Sequence, residues 1–206
     1  MNADALPYVI AGAMAGGFIN GLAGFGTALF ALGFFLAVLP PVQAVAMLVV
    51  LSVVTGLQGL WVVRAAIGQN KRRLARFLIP GLAGIPIGVT ILSVIDASTL
   101  KTVVAAMLLL YGGYFTLRAN LPTFERATPF WDMLVGFLGG ILGGAASLSG
   151  ALPMMWCTLR PWPRHETRAV LQPFNVGVLA VATGTLALKG AYTRETLIYL
   201  AIAIPA

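Results

Sequence analysis

Apolar residues run through this chain in stretches too long and too frequent for a water-soluble core. Stretches of membrane-crossing length, about 20 helical residues for a hydrocarbon layer of roughly 30 Å, recur six or seven times. They are approximately Tyr8 to Leu39, Val42 to Val63, Phe77 to Val94, Leu100 to Leu117, Phe130 to Leu159, Ala169 to Leu188, and a last one opening near Thr196. Charge, Pro or Gly bounds each of them, the pattern of membrane helices joined by short loops. The reading is an all-α, polytopic integral membrane protein with about seven membrane segments, forming a single membrane domain over residues 1–206.

Composition agrees. Hydrophobic residues make up 59% and charged residues 9% of the chain, and the mean hydropathy is +0.94, values that exclude an ordinary soluble domain. The net charge of +7 would suit nucleic acid if it formed one patch, but the basic residues fall in short groups between apolar runs and mark topology instead. Nucleic acid is therefore not an expected partner, whereas the lipid bilayer is. The single cysteine, Cys157, excludes an internal disulfide and a Cys-rich metal site. Met1 to Pro7 has no Lys or Arg and leads into a run far longer than a signal-peptide core, so it reads as the approach to a retained segment.

The first and fifth runs are about 30 residues each, which would be roughly 45 Å as straight helices. Both are interrupted by glycine, in Gly16-Gly17-Phe18-Ile19-Asn20-Gly21-Leu22-Ala23-Gly24-Phe25-Gly26-Thr27 and in Gly139-Gly140-Ile141-Leu142-Gly143-Gly144-Ala145-Ala146-Ser147-Leu148-Ser149-Gly150. The two align at an offset of about 123, which matches Gly16, Gly17, Gly21, Ala23 and Ala28 with Gly139, Gly140, Gly144, Ala146 and Ala151, and Pro40 with Pro163. This suggests two duplicated halves, residues 7–118 and 130–206, each opening with a Gly-broken helix. The second half ends earlier in the duplicated frame, so about eight segments are expected in the full protein.

If the broken segments simply cross, nine basic residues oppose four; if they return as re-entrant hairpins, ten oppose three. Either way the basic loop 64–76 faces the cytoplasm of a cell membrane. Charge alone leaves hairpin and crossing open.

Backbone that leaves the helix within a membrane must be buried in protein or line a polar cavity, so the glycine breaks are the expected site. Half-helices starting near Thr27 and Ala151 would present unpaired N–H groups and the positive ends of their dipoles, which attract anions. The candidate binding residues are Asn20, Gly24, Phe25, Gly26, Thr27, Ser147, Ser149 and Gly150. Gln172 and Asn175 join them from the helix after the second break; Ser52 and Thr55 hold matching places on the helix after the first. Arg164 and Arg168, near the cavity mouth, are candidates for steering or gating. The glycine spacings Gly12/Gly16, Gly17/Gly21 and Gly140/Gly144 would equally serve tight helix packing, and Ser52 and Thr55 read better as interhelical hydrogen bonds. His165 and Glu166 are adjacent and face different ways on a helix. All six acidic residues lie at or near segment ends, so no mid-membrane carboxylate is evident. With one His and one Cys, no catalytic or metal constellation stands out; no enzyme activity, cofactor or metal is expected.

The motif Phe18-Ile19-Asn20-Gly21-Leu22-Ala23-Gly24-Phe25-Gly26, followed by Pro40-Pro41-Val42-Gln43-Ala44-Val45 and paired with Gly143 to Pro153, resembles the TauE/SafE family of sulfite exporters. Ser147 and Ser149 stand where the family commonly has glycine. The resemblance implies a transporter, by default an exporter, of small anions such as sulfite or organosulfonates, with about eight segments in two related halves. A non-transporting scaffold or assembly subunit is the alternative, and a homo-oligomer is left open.

Overall fold

The computed structural model describes residues 3–23, 26–117, 124 and 128–205. Among them the ordered elements are all helical: a short turn of 3-10 helix at Ala3–Ala5, then α1 (Leu6–Ala23), α2 (Thr27–Val38), α3 (Pro41–Gln69), α4 (Lys71–Val94), α5 (Ala97–Leu117), α6 (Pro129–Ala146), α7 (Ala151–Thr158), α8 (Arg164–Leu188) and α9 (Arg194–Ala203). Five of these, α3, α4, α5, α6 and α8, are long and apolar enough to cross a membrane. The expectation of about seven segments thus meets five helices that qualify on their own. The first expected segment is divided into α1 and α2, the fifth into α6 and α7.

Local chemistry sets the boundaries. Pro41 and Pro129 open α3 and α6 at positions where a missing N–H leaves no bond unmade. Asp96 caps α5, its carboxylate accepting from the N–H groups of Ser98 (2.9 Å) and Thr99 (3.0 Å) and from the Thr99 hydroxyl (2.6 Å). Those bonds, the Thr99 hydroxyl first, hold its pKa below the usual carboxylate value.

Each broken segment folds back on itself. A Cβ placed on Gly16 would sit 2.9 Å from Thr27 and one on Gly12 2.7 Å from the Phe35 ring, so α2 retraces α1. In the second pair a Cβ on Gly143 would lie 2.9 Å from Ser149 and one on Gly139 3.0 Å from Pro153, so α7 retraces α6. The geometry is that of two helical hairpins rather than two straight crossings.

Between the hairpins lies the buried centre. Helices α3 and α8 run antiparallel, with the Gln172 amide donating to the Gly56 carbonyl (3.0 Å) and Tyr192 to the Ala46 carbonyl (3.2 Å). Helices α4 and α6 run parallel and so close that their backbones touch. Gly81, Gly84 and Gly88 face Gly136, Gly140 and Gly144; a Cβ on Gly140 would run into the Gly81 carbonyl, and one on Gly144 would come within 2.7 Å of the Ile85 carbonyl. Phe174 of α8 closes the seam edge-on against Phe77, ring centroids 6.4 Å apart. Helix α5 stays outside, burying Leu100 and Val104, and is pinned to α7 by the Tyr114 hydroxyl at the Met155 carbonyl (2.8 Å).

At one end of the bundle Arg73 pairs with Glu166 (2.5 Å) and lies over the Trp162 ring (4.6 Å). The α3–α4 turn and the start of α8 therefore share that end. Element starts keep a regular spacing: α1, α3 and α4 begin at 6, 41 and 71, and α6, α8 and α9 at 129, 164 and 194, each pair 123 apart.

Because the obstacle at Gly140 is backbone, which cannot rotate aside, Gly140→Ala should destabilise the protein by about 3 kcal/mol or more. Gly113→Ala on α5, where a Cβ meets nothing within 4 Å among the described residues, should leave the unfolding midpoint unchanged or slightly raised. Thermal unfolding of the two purified variants in one detergent checks the contrast.

Candidate functional site

The hairpin tips meet at the middle of the bundle. There they bound a cavity of about 20 Å³ lined by Asn20, Gly26, Thr27, Ala28, Leu29, Ser52, Ser147, Leu148, Gly150, Ala151 and Asn175. Ser52 and Asn175 each stand eleven residues into their helices, α3 from 41 and α8 from 164. At 1.5 Å per residue that is about 16 Å along each helix from its start. Three lining pairs are 123 apart: Thr27 with Gly150, Ala28 with Ala151, and Ser52 with Asn175.

No lining residue carries a charge. The field comes from helix ends. Helices α2 and α7 both begin at the cavity, Gly26 and Gly150 stand at their N-caps, and neither cap residue supplies a side-chain acceptor. The first-turn N–H groups of α2 thus retain their donor capacity, whereas in α7 the Ala151 N–H turns to the Leu148 carbonyl (3.4 Å) and Pro153 has none, which leaves that of Leu152. Gly26 reaches its place with φ of 100°, a conformation glycine adopts without strain. At the negative end of α6 two carbonyls are engaged. Ser147 turns left-handed (φ 60°), and the N–H groups of Ser147 and Leu148 close onto the carbonyls of Gly143 (3.0 Å) and Leu142 (3.2 Å).

Side chains add donors. The Ser147 hydroxyl is buried and has no hydrogen-bond partner among the described residues, an expensive state unless a ligand or solvent engages it. Ser149 is wholly buried and its hydroxyl donates to Oδ1 of Asn175. With Oδ1 engaged, the amide nitrogen of Asn175 is the part left to donate. Such a cavity can offer N–H and O–H groups to an oxyanion.

Of the residues expected from sequence, Asn20, Gly26, Thr27, Ser147, Gly150 and Asn175 line the cavity, with Ser149 immediately behind Asn175. Gly24 and Phe25 lie outside the described residues. Gln172 turns to the Gly56 carbonyl of α3 and does not line the cavity. Arg164 and Arg168 are exposed in the first turns of α8, away from the lining set. Ser52, taken from sequence as a packing hydroxyl, lines the cavity, whereas Thr55 bonds back to Leu51 of its own helix (2.9 Å).

A second cluster escaped the sequence altogether. Asp132, in the first turn of α6, accepts from the indole N–H of Trp156 (2.7 Å) and pairs with Arg160 (3.3 Å), the two charged side chains only 5% and 3% exposed. Arg160 also reaches the Thr128 hydroxyl. This clamp ties the open end of the α6–α7 hairpin together and so fixes where α7 starts. In sequence Asp132 and Arg160 are 28 positions apart, and only the fold-back brings them together.

The sulfite exporter TauE/SafE family model matches residues 8–206. The chain belongs to the TauE/SafE sulfite exporter family. It is accordingly a multi-pass membrane transporter of the anion-exporting kind, not an enzyme. No curated protein and no solved structure matches it.

Removing one member of a buried ion pair strands the other charge. Arg160→Met alone should therefore cost about 3–5 kcal/mol, while the double variant Asp132→Leu/Arg160→Met should recover most of the loss. A double-mutant cycle on thermal unfolding measures the difference.

Proposed function

We infer that this chain exports a small oxyanion, sulfite or a related organosulfonate, through a site shared by two inverted, related halves. The observation that carries the reading is the convergence of the first turns of α2 and α7 on one uncharged cavity with unengaged donors. Helix N-termini favour anions by geometry and by dipole together. Family membership supplies the sulfur chemistry.

The constant 123-residue spacing of helix starts and of three lining pairs supports a duplication. The antiparallel course of α3 and α8, which stand in corresponding places, supports inversion. Binding then falls on Asn20, Gly26, Thr27, Ser52, Ser147, Gly150 and Asn175, with Ser149 holding the Asn175 amide in register. Gly24 and Phe25 are proposed to take part in binding as well.

Orientation follows from charge. The pairing of Arg73 with Glu166 gathers Arg64, Lys71, Arg72, Arg73, Arg76, Arg160, Arg164 and Arg168 at one end, opposite Lys101, Lys189 and Arg194. By the positive-inside rule the basic end is cytoplasmic. Both hairpins are then re-entrant, one from each face.

A cavity of about 20 Å³ holds about one water, too little for the four heavy atoms of sulfite. This is the contracted form of the site, and the hairpin tips part to admit substrate from either side in turn.

Ser147→Gly removes the unengaged hydroxyl while relieving a left-handed serine, so it should retain or raise stability by about 1 kcal/mol. It should also weaken sulfite binding about tenfold or more. Asn175→Ala should weaken it comparably. Thermal stabilisation by sulfite against chloride, with sulfite flux in proteoliposomes, tests this. Wild-type flux in both variants would sink the site, and no sulfite-dependent stabilisation or flux in the wild type would favour a scaffold instead.

A further inference from the structure

The basic end of the bundle holds a feature that topology alone does not require. Lys71, Arg72, Arg73 and Arg76 surround a cavity of about 650 Å³, with Glu166 on its rim. The positive-inside rule asks only that cations lie on one side, and dispersed ones would satisfy it. Here they converge.

They also converge at the wrong end of a helix. Lys71, Arg72 and Arg73 occupy the first turn of α4, where the dipole is already positive and carboxylates are favoured. Helix α9, which begins 123 residues later, meets the same demand internally: Thr193 caps it by accepting from the Thr196 N–H, and Glu195 sits in its first turn. At α4 the Asn70 side chain gives no cap and turns its amide back to the Ala66 carbonyl (3.1 Å). Glu166 answers Arg73. Lys71, Arg72 and Arg76 form no ion pair among the described residues.

Arg73 is held from three sides, by Glu166, by the Asn70 carboxamide oxygen (3.2 Å) and by the Trp162 face. The floor of the cavity is therefore fixed while Lys71 and Arg72 remain exposed above it. One face of α3 leads to this cavity. Val54, Leu57 and Trp61 are exposed along it at spacings of three and four, and Gly68, seven residues beyond Trp61, lines the cavity. An acyl chain lying on that stripe would bring a headgroup phosphate to the cations.

We propose that this cavity binds the phosphate of an anionic phospholipid, linking the α3–α4 turn to the start of α8. The site is separate from the central cavity and independent of which anion is carried.

The test uses the full chain in lipid nanodiscs of phosphatidylcholine with increasing phosphatidylglycerol, read by thermal unfolding, with inorganic phosphate in a parallel series. Phosphatidylglycerol should stabilise the wild type saturably. The apparent affinity should fall about fivefold for each cation removed, so about a hundredfold in Lys71→Gln/Arg72→Gln/Arg76→Gln. Since that variant could insert poorly, Glu166→Gln supplies a change of opposite sign: loss of the rim carboxylate should tighten the headgroup several-fold. Equal unfolding midpoints in both lipids, an unchanged affinity in the triple variant, or weaker binding in Glu166→Gln would each overturn the proposal. So would saturation by inorganic phosphate alone, which would identify the ligand as a soluble phosphate.

Discussion

Six glycines let the backbones of α4 and α6 touch, and much of the architecture hangs on that contact. Lipid tails give apolar helices no hydrophobic reason to associate, so close van der Waals approach has to supply the attraction. Gly136, Gly140 and Gly144 present a groove every fourth residue, into which α4 lays Gly81, Gly84 and Gly88. The seam fixes α6 by its full length, and α6 in turn carries the Ser147 turn and the short α7. Because α4 also packs on α8 through Phe77 and Phe174, one contact sets the distance between the Ser147 turn and Asn175.

As the proposed anion site, the central cavity would work by placement rather than by charge. A lysine or arginine at mid-membrane would hold an anion tightly and carry a large desolvation penalty when empty. Helix starts, a turned serine and an amide give a weaker field that is present without a net charge. The bonds from Ser147 and Leu148 occupy two of the acceptors at the nearby end of α6. The Asp132 and Arg160 pair shows the other use of buried charge, as a fixed tie at a hairpin's open end.

Much of this was legible in the residues. Helix length and the glycine runs announced two broken segments, and the 123-residue offset seen in glycines and prolines recurs in helix starts. Asn20, Thr27, Ser147 and Asn175, which line the cavity, could be singled out because they flank the glycine breaks or stand at the 123-residue offset. Gln172 misled because an amide three residues from Asn175 shares its helix face, yet the partner that decides its role, the Gly56 carbonyl, lies on another helix. Ser52 was underrated because a serine in a membrane helix so often bonds locally. The Arg73–Glu166 and Asp132–Arg160 pairs join residues 93 and 28 positions apart, and no local pattern announces such contacts. Even the glycine spacings divide: Gly140 and Gly144 clasp α4, whereas a Cβ on Gly17 or Gly21 would meet nothing within 4 Å among the described residues.

The glycine seam also bears on how this gene can change. Glycine is encoded by four related triplets, and every single-base missense change in them adds a β-carbon, alanine being the smallest outcome. At Gly84, Gly88, Gly136 and Gly140 that carbon would meet main chain rather than a side chain able to rotate away. A leucine elsewhere in the bundle can drift to methionine or valine and be absorbed by its surroundings. These four codons have no such latitude, so the contact between α4 and α6 is open to silent substitution and closed to gradual exploration.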